Sequence, residues 1–290
     1  MVVGFPPGGP TDVVARLVAG ALHKQTGQPF IVENKAGAAG NLAAAAVAKA
    51  PANGYTILYA SSGIALSPAL FKQLSFDVER DFLPVSETVS IPLVLLVHPS
   101  IPSATLSEFV AYAKSRPGQL NYASSGNGSI THLAAALLVQ QHGLQAQHVA
   151  YKGTAPALVD LLAGNVQFTV GTINTALPYV REGKLRALAV TGLRRAATLP
   201  NVPTLDESGM KGFEATAWQG LMVPVGTPAA VVQQLQEQTA KALARPDIQN
   251  ALAAQDAEVR ATTPAVFSAY LVSEVARWKK IIKDAGIESQ

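Results

Sequence analysis

The sequence predicts an α/β protein of two lobes, each a parallel-rich sheet flanked by helices, with a ligand cleft between them. Three observations lead there. A Gly-rich loop that opens a helix occurs twice, in Val2–Asp12 and in Leu120–His132. After each copy, short apolar strands alternate with Ala/Leu-rich helical runs, a βα rhythm that gives parallel strands with right-handed crossovers. Two apolar segments, Ile91–Val97 and Ala217–Pro224, stand where the chain would pass from one lobe to the other and back.

The first block reads as a strand to Phe5, a helix over about Pro10–Gln25, a strand over Phe30–Glu33, a helix over about Asn41–Lys49 and a strand over Tyr55–Ala60. Gly9 suits the N-cap of the first helix, Pro10 its first turn, and Asp12 can reach back to a free backbone N–H. Gly27 supplies a left-handed stop. In the second block Ser129 is the expected N-cap and Gly143 the stop. Pro99 and Pro102 stiffen the exit from the first crossing strand. After the return crossing come three helices, about Pro228–Ala244, Asp247–Ala254 and Pro264–Ala285, with no further strand expected. Residues 1–97 with 222–290 are therefore expected to form one lobe, and 98–221 the other.

At 290 residues the chain is long enough for two cores, and 49% apolar with 14% charged residues is a globular composition. No apolar run approaches the roughly 18 residues that span a bilayer. The net charge is +3, and the basic residues are scattered apart from Arg194-Arg195 and Lys279-Lys280, which read as solvated surface. No nucleic-acid stripe is indicated. The absence of cysteine excludes thiol chemistry and Cys-based metal sites. The chain opens on Met1-Val2-Val3, already strand-like, so its start reads as trimmed.

Two helix-opening loops mean two helix N-termini with free N–H groups and partial positive charge, a two-sided anion clamp. Neither loop contains Lys or Arg, and neither needs one. The expected ligand contacts are Phe5, Pro7, Gly8, Gly9 and Thr11 in the first loop, and Ser125, Asn127, Gly128, Ser129 and Thr131 in the second. Thr11, Ser129 and Thr131 offer hydroxyls to ligand or bridging water. Ser61, Ser62, Thr172 and Asn174 sit at or just after strand ends, where pockets form in open α/β sheets. Ser62 and Thr172 are expected to touch ligand, with Ser61, Gly171 and Asn174 behind them. Asp12 is expected to cap its helix, since a carboxylate beside a bound anion would repel it. His132 falls in a first helical turn and reads as supporting the loop, and Trp218 reads as hinge packing.

The catalytic alternatives are thin. There is no Gly-x-Ser-x-Gly elbow, His-Glu-x-x-His or Walker loop. The histidines, His23, His98, His132, His142 and His148, lack metal-ligand spacing, and Ser129/His132 has no evident orienting carboxylate. Gly126-x-Gly128 lacks a third glycine at the dinucleotide spacing. No enzyme activity, cofactor or metal is expected.

The runs Val3–Asp12, Glu33–Gly40, Ala48–Thr56, Tyr151–Ala157, Gly183–Thr191 and Leu199–Thr204 are collinear and span nearly the whole chain. Together they resemble the Bug family, the extracytoplasmic solute-binding proteins of tripartite tricarboxylate transporters. The resemblance implies a monomeric, periplasmic Venus-flytrap protein for a small organic carboxylate. Its partners would be membrane permease subunits, or else a sensor protein. In that family the two pincer loops hold the carboxylate, largely through backbone N–H groups and bridging waters. The sequence departs from the pattern after Tyr59, where relatives often carry His and Asn and Ser61–Pro68 stands here. It departs again at Gly171, where relatives often have Asp. Without that Asp, an α-ammonium group would be buried unpaired, so the expected ligand has a neutral or apolar far end and is not an amino acid.

Overall fold

The computed structural model describes residues 1–287. The chain divides into two compact units, Met1–Ser90 with Trp218–Ala253 and the residues from Ala257 on, and Ile91–Ala217 with Ala254–Asp256. Along the first unit run β1 (Val2–Val3), α1 (Pro10–Thr26), β2 (Glu33–Asn34), α2 (Asn41–Ala48), β3 (Leu58–Ser61) and α3 (Gly63–Leu70). The long strand β4 (Phe82–Val97) then carries the chain into the second unit. There follow α4 (Leu106–Lys114), β5 (Leu120–Ser124), α5 (Ile130–Gln141), β6 (Ala146–Ala150), α6 (Thr154–Leu162), β7 (Phe168–Thr172), α7 (Ile173–Arg181) and β8 (Arg186–Val190). Strand β9 (Thr216–Pro224) returns to the first unit, which is completed by α8 (Ala229–Leu243), α9 (Pro246–Ala253), β10 (Glu258–Val259) and α10 (Pro264–Asp284).

In the first unit β1 lies between β2 and β3, parallel to both, and β9 pairs antiparallel with β3. β4 adjoins β9, and β10 pairs with it antiparallel. In the second unit β5 lies between β6 and β7, all parallel, while β4 runs antiparallel to β7 and β8. The division falls inside β4 and β9, whereas the sequence reading put it at residues 98 and 222, near the far ends of the same strands. Trp218, Met222, Phe267 and Leu58 belong to the core of the first unit, and Val94, Leu96, Leu161 and Val190 to that of the second.

Helix α1 has the ends its sequence specifies: Gly9 at the N-cap, Pro10 next, and Gly27 at φ 70° as the C-cap. Other local expectations need correction. The strand expected at Phe30–Glu33 lies at Glu33–Asn34, because β1 offers only two residues before Gly4 and its register places Glu33 opposite Val2. Ile31 is left 72% exposed. The segment from Ser61 on, to which no element was assigned, runs into α3, with Pro68 inside the helix. A strand, β10, does follow α9; two residues carry no periodicity to read. Residues Ala254–Asp256 group with the second unit, where Asn174 Nδ2 donates to Gln255 Oε1 at 3.2 Å and Thr198 N–H to Asp256 Oδ1 at 3.1 Å. That excursion had no counterpart in the sequence reading.

Candidate functional site: two helix-opening loops

The first loop runs from β1 to α1. Gly8 has φ +77°, a left-handed conformation that L side chains resist. Its N–H donates to Asp12 Oδ2 at 2.9 Å, and Arg16 Nε donates to the same oxygen at 2.9 Å. Asn34 Nδ2 donates to Asp12 Oδ1 at 2.8 Å and to Phe5 O at 3.0 Å. Asp12, the third residue of α1, thus ties helix, loop and β2 together and does the capping work its sequence position implied. Burial pushes its pKa up, but the donors Arg16, Asn34 and Gly8 outweigh that and hold it below the ordinary aspartate range. Gly9 N–H bonds Pro6 O at 3.4 Å, Pro10 has no N–H, and Val13 N–H is already committed to Gly9 O at 3.0 Å. The donors left over at this helix start are the N–H groups of Thr11 and Asp12.

The second loop runs from β5 to α5 and repeats this geometry. Gly128 has φ +78°, and its N–H points at the side chain of the third helical residue, here His132, whose Nδ1 lies at 3.4 Å. Ser129 is the N-cap, its Oγ accepting from His132 N–H at 3.2 Å and donating to Gly126 O at 2.7 Å. Thr131 Oγ1 accepts from Ser125 N–H at 2.9 Å and contacts both Ser125 Oγ and Ser129 Oγ at 2.9 Å. These hydroxyls therefore build the loop as much as they line it. Ser129 N–H goes to Gly126 O and Leu133 N–H to Ser129 O, both at 3.1 Å, which leaves the N–H groups of Ile130 and Thr131 as free donors.

Beneath the second loop lies a stack the sequence reading did not foresee. The rings of His132 and His148 are 3.9 Å apart and within 13° of parallel, and Tyr122 stacks on His148 at 5.0 Å. Ser124 Oγ lies 2.7 Å from His148 Nε2. Desolvation pushes both imidazoles down to about 4, His148 also through its neighbour His132. A serine on a histidine invites a nucleophile reading, but the next group is a second imidazole and not an orienting carboxylate. The alternation of Tyr122 and His148 on paired strands was the available signal: they face each other in the β5–β6 register.

The strand-end residues fall into two sets, one in each unit. Ser61 lines a cavity of about 20 Å³ together with Phe5, Gly4, Gly40 and Asn41. The volume is of the order needed for one water. Asn41 Oδ1 accepts from Ser67 Oγ at 2.6 Å, while its buried Nδ2 has no partner among the described residues. Sequence reasoning did not single out Asn41 as a residue of this cavity. Gly4 and Gly40 make its position possible, since a Cβ on Gly4 would stand 2.5 Å from Gly40 Cα. Ser62 is buried, its N–H bonded to Trp218 O at 2.9 Å and its Oγ without a partner among the described residues. Trp218 is fully buried edge-on to Phe267 and Tyr270, consistent with packing.

In the second unit Thr172 is the N-cap residue of α7, and its Oγ1 contacts Thr175 Oγ1 at 3.0 Å. Asn174 is engaged with Gln255, as above. A Cβ on Gly171 would point at Leu96 Cδ1, 3.6 Å away, toward the apolar interior of the unit. A larger cavity of about 510 Å³ lies in the first unit, lined by Phe30, Tyr55, Val231 and Leu235. Its walls come from the segments that precede β2 and β3 and from α8, and the two segments lie at the opposite strand ends from the loops, so the larger volume and the helix N-termini are in different places. The loops carry the better claim for an anion, because each presents free backbone N–H groups at a helix N-terminus, whereas the donors of this groove are scattered amide and hydroxyl side chains and the terminal ammonium of Met1, which already donates to Ile31 O.

Comparison with known proteins finds relatives over the whole length of the chain. Residues 14–287 match the model of the tripartite tricarboxylate transporter family receptor. The fold superposes with a TM-score of 0.95 on the periplasmic binding protein BugD, at 36% identity over 100% of this chain and 98% of that one. Rpa4515 of R. palustris, solved with adipate, is similar at TM-score 0.95 and 36% identity, over 100% of this chain and 97% of that one. MatC from Rhodopseudomonas palustris, solved with bound malate, is similar at TM-score 0.92 and 36% identity, over 97% of each chain.

Proposed function

The chain belongs to the tripartite tricarboxylate transporter receptor family, and on that premise we propose that it is a periplasmic solute-binding protein that captures a small organic carboxylate for the permease of such a transporter. The observation that carries the reading is the matched pair of loops, with Gly8 and Gly128 at φ +77° and +78° and a helix opening behind each. In this reading the carboxylate accepts hydrogen bonds from the N–H groups of Thr11 and Asp12 and from those of Ile130 and Thr131. Each helix N-terminus adds roughly 0.3–1 kcal/mol of favourable field. Phe5, Pro7, Gly8, Gly9, Ser125, Asn127, Gly128 and Ser129 shape the two loops, and Ser61, Ser62 and Thr172 meet the rest of the solute. Binding is reversible and makes no covalent bond.

The adipate of Rpa4515 and the malate of MatC support the ligand class, since both are carboxylates without an ammonium group. The same class is assigned here: a buried ammonium needs a carboxylate partner, and Asp12 is already committed to three donors. The test is a thermal-shift and calorimetry panel of adipate, malate, aromatic carboxylates and amino acids, on protein refolded to strip carried-over solute. With a dissociation constant of about 1 μM, ligand at about 1 mM stabilises the fold by ~4 kcal/mol, a clear rise in Tm. Tighter binding of amino acids than of their deaminated counterparts would overturn the ligand class, and conversion of a bound carboxylate would overturn the receptor reading.

A further inference from the structure

Positions 12 and 132 are equivalent. Each is the third residue of its helix, and each side chain takes the N–H of a left-handed glycine four residues before it. One is a carboxylate, an acceptor at any neutral pH. The other is an imidazole, whose Nδ1 accepts only when the ring is neutral and carries its proton on Nε2. A protonated His132 would turn an N–H donor toward the Gly128 N–H and unseat the loop.

The surroundings of His132 hold it neutral. His148 lies face to face with it at 3.9 Å, so a charge on either ring is set against the other ring in a desolvated place. The titratable groups on the packed elements do not compensate. On β5 there is Tyr122, whose hydroxyl burial pushes up to about 12. Beyond β6, Tyr151 donates to Asp160 of α6, and Asn165 takes the other oxygen of that carboxylate. Lys152, next to Tyr151, carries the same sign of charge as an imidazolium would. β7 carries no ionisable side chain, and α5 none besides His132. Burial brings both imidazoles down to about 4, in keeping with the geometry.

We propose that His132 is the positioning residue of the second loop, holding the Gly128 N–H through a neutral Nδ1, and that His148 and Tyr122 form the stack that keeps it in that state. The proposal rests on the reading of this loop as a carboxylate-binding element. It makes the imidazole of the second loop the counterpart of the Asp12 carboxylate in the first, without placing a second negative charge near the solute.

The experiment has two arms. Long-range ¹H–¹⁵N NMR of the solute-free protein reads the tautomer and titration of His132 directly. The expected result is the Nε2–H form from pH 7 down to pH 5, with protonation near 4. An Nδ1–H form, or a midpoint near 6.5, overturns the proposal whatever the solute. The second arm compares His132→Asn, which keeps an acceptor near the Nδ1 position, with His132→Phe, which keeps only the stack. With adipate or malate as probe, the Asn variant should bind within about threefold of wild type, and the Phe variant at least about fivefold more weakly, as for loss of one modest hydrogen bond. Equal affinity of the two variants overturns the positioning role. If wild type binds no carboxylate, the receptor reading fails, while the tautomer measurement still decides the state of His132.

Discussion

Replacing Asp12 by Ala removes the acceptor of three donors at once, and its cost can be worked from the contacts. Asp12 is 2% exposed, and its Oδ2 is the partner of the Gly8 N–H at 2.9 Å. Gly8 is itself exposed, so its freed N–H turns to water and the loss is that of one ordinary hydrogen bond, about 0.5–1.5 kcal/mol. Asn34 Nδ2 keeps its bond to Phe5 O, so its loss is limited to about 1 kcal/mol. Arg16 is 51% exposed at its side chain and regains water, so its share is small. The sum is about 1–2.5 kcal/mol, measured as the change in urea unfolding free energy at pH 7.5. Asp12→Asn, which keeps one acceptor oxygen, should cost about half as much. The sign with pH follows from a carboxyl whose folded pKa lies below the ordinary 3.8. Its stabilisation is complete above that value and is lost as pH falls through the lower folded one, so the gap between wild type and Asp12→Ala should narrow only below about pH 4. A loss under about 0.5 kcal/mol for Asp12→Ala, or a gap that closes already at pH 6, would refute the reasoning.

Two further outcomes follow from single positions. Gly8→Ala should cost about 1–2 kcal/mol through its left-handed φ alone, because no atom lies within 4 Å of the added Cβ. Gly9→Ala, at φ −75°, should cost under ~1 kcal/mol; equal losses in urea titrations would show that the conformation of Gly8 is not what matters. Glu87 is a buried carboxyl that desolvation pushes up to about 7, against the ion pair with Arg260. Between the ordinary 4.5 and about 7 the folded state holds a proton that the unfolded chain releases, so stability falls as pH rises through that window. Glu87→Gln should therefore melt a few degrees above wild type at pH 8 and level with it at pH 5; a variant that melts lower at pH 8 would show that Arg260 needs the charge.

The parts of this architecture that were legible in the sequence are those with local causes. Gly9, Pro10, Asp12 and Gly27 mark the two ends of α1, and each acts through atoms within a few residues of itself. Ser129 capped α5 for the same reason. What sequence could not supply depends on contacts across long separations. β2 shifted by register with β1, thirty-one residues away, and not by its own apolar pattern, which favoured Phe30–Glu33. Asn41 lines the small cavity beside Ser61 because two glycines, Gly4 and Gly40, let their backbones approach closely. His148 read as an ordinary strand residue until β5–β6 pairing put it beside Tyr122 and under His132. Short elements such as β10 were invisible because two residues hold no period.

The central claim is that one carboxylate draws on both helix-opening loops. Backbone-assigned NMR during a titration with adipate or malate tests it most directly. The account predicts that the amide signals of Thr11 and Asp12 and those of Ile130 and Thr131 shift together, downfield, along a single saturation curve. Shifts confined to one loop, or two loops saturating at different ligand concentrations, would contradict it.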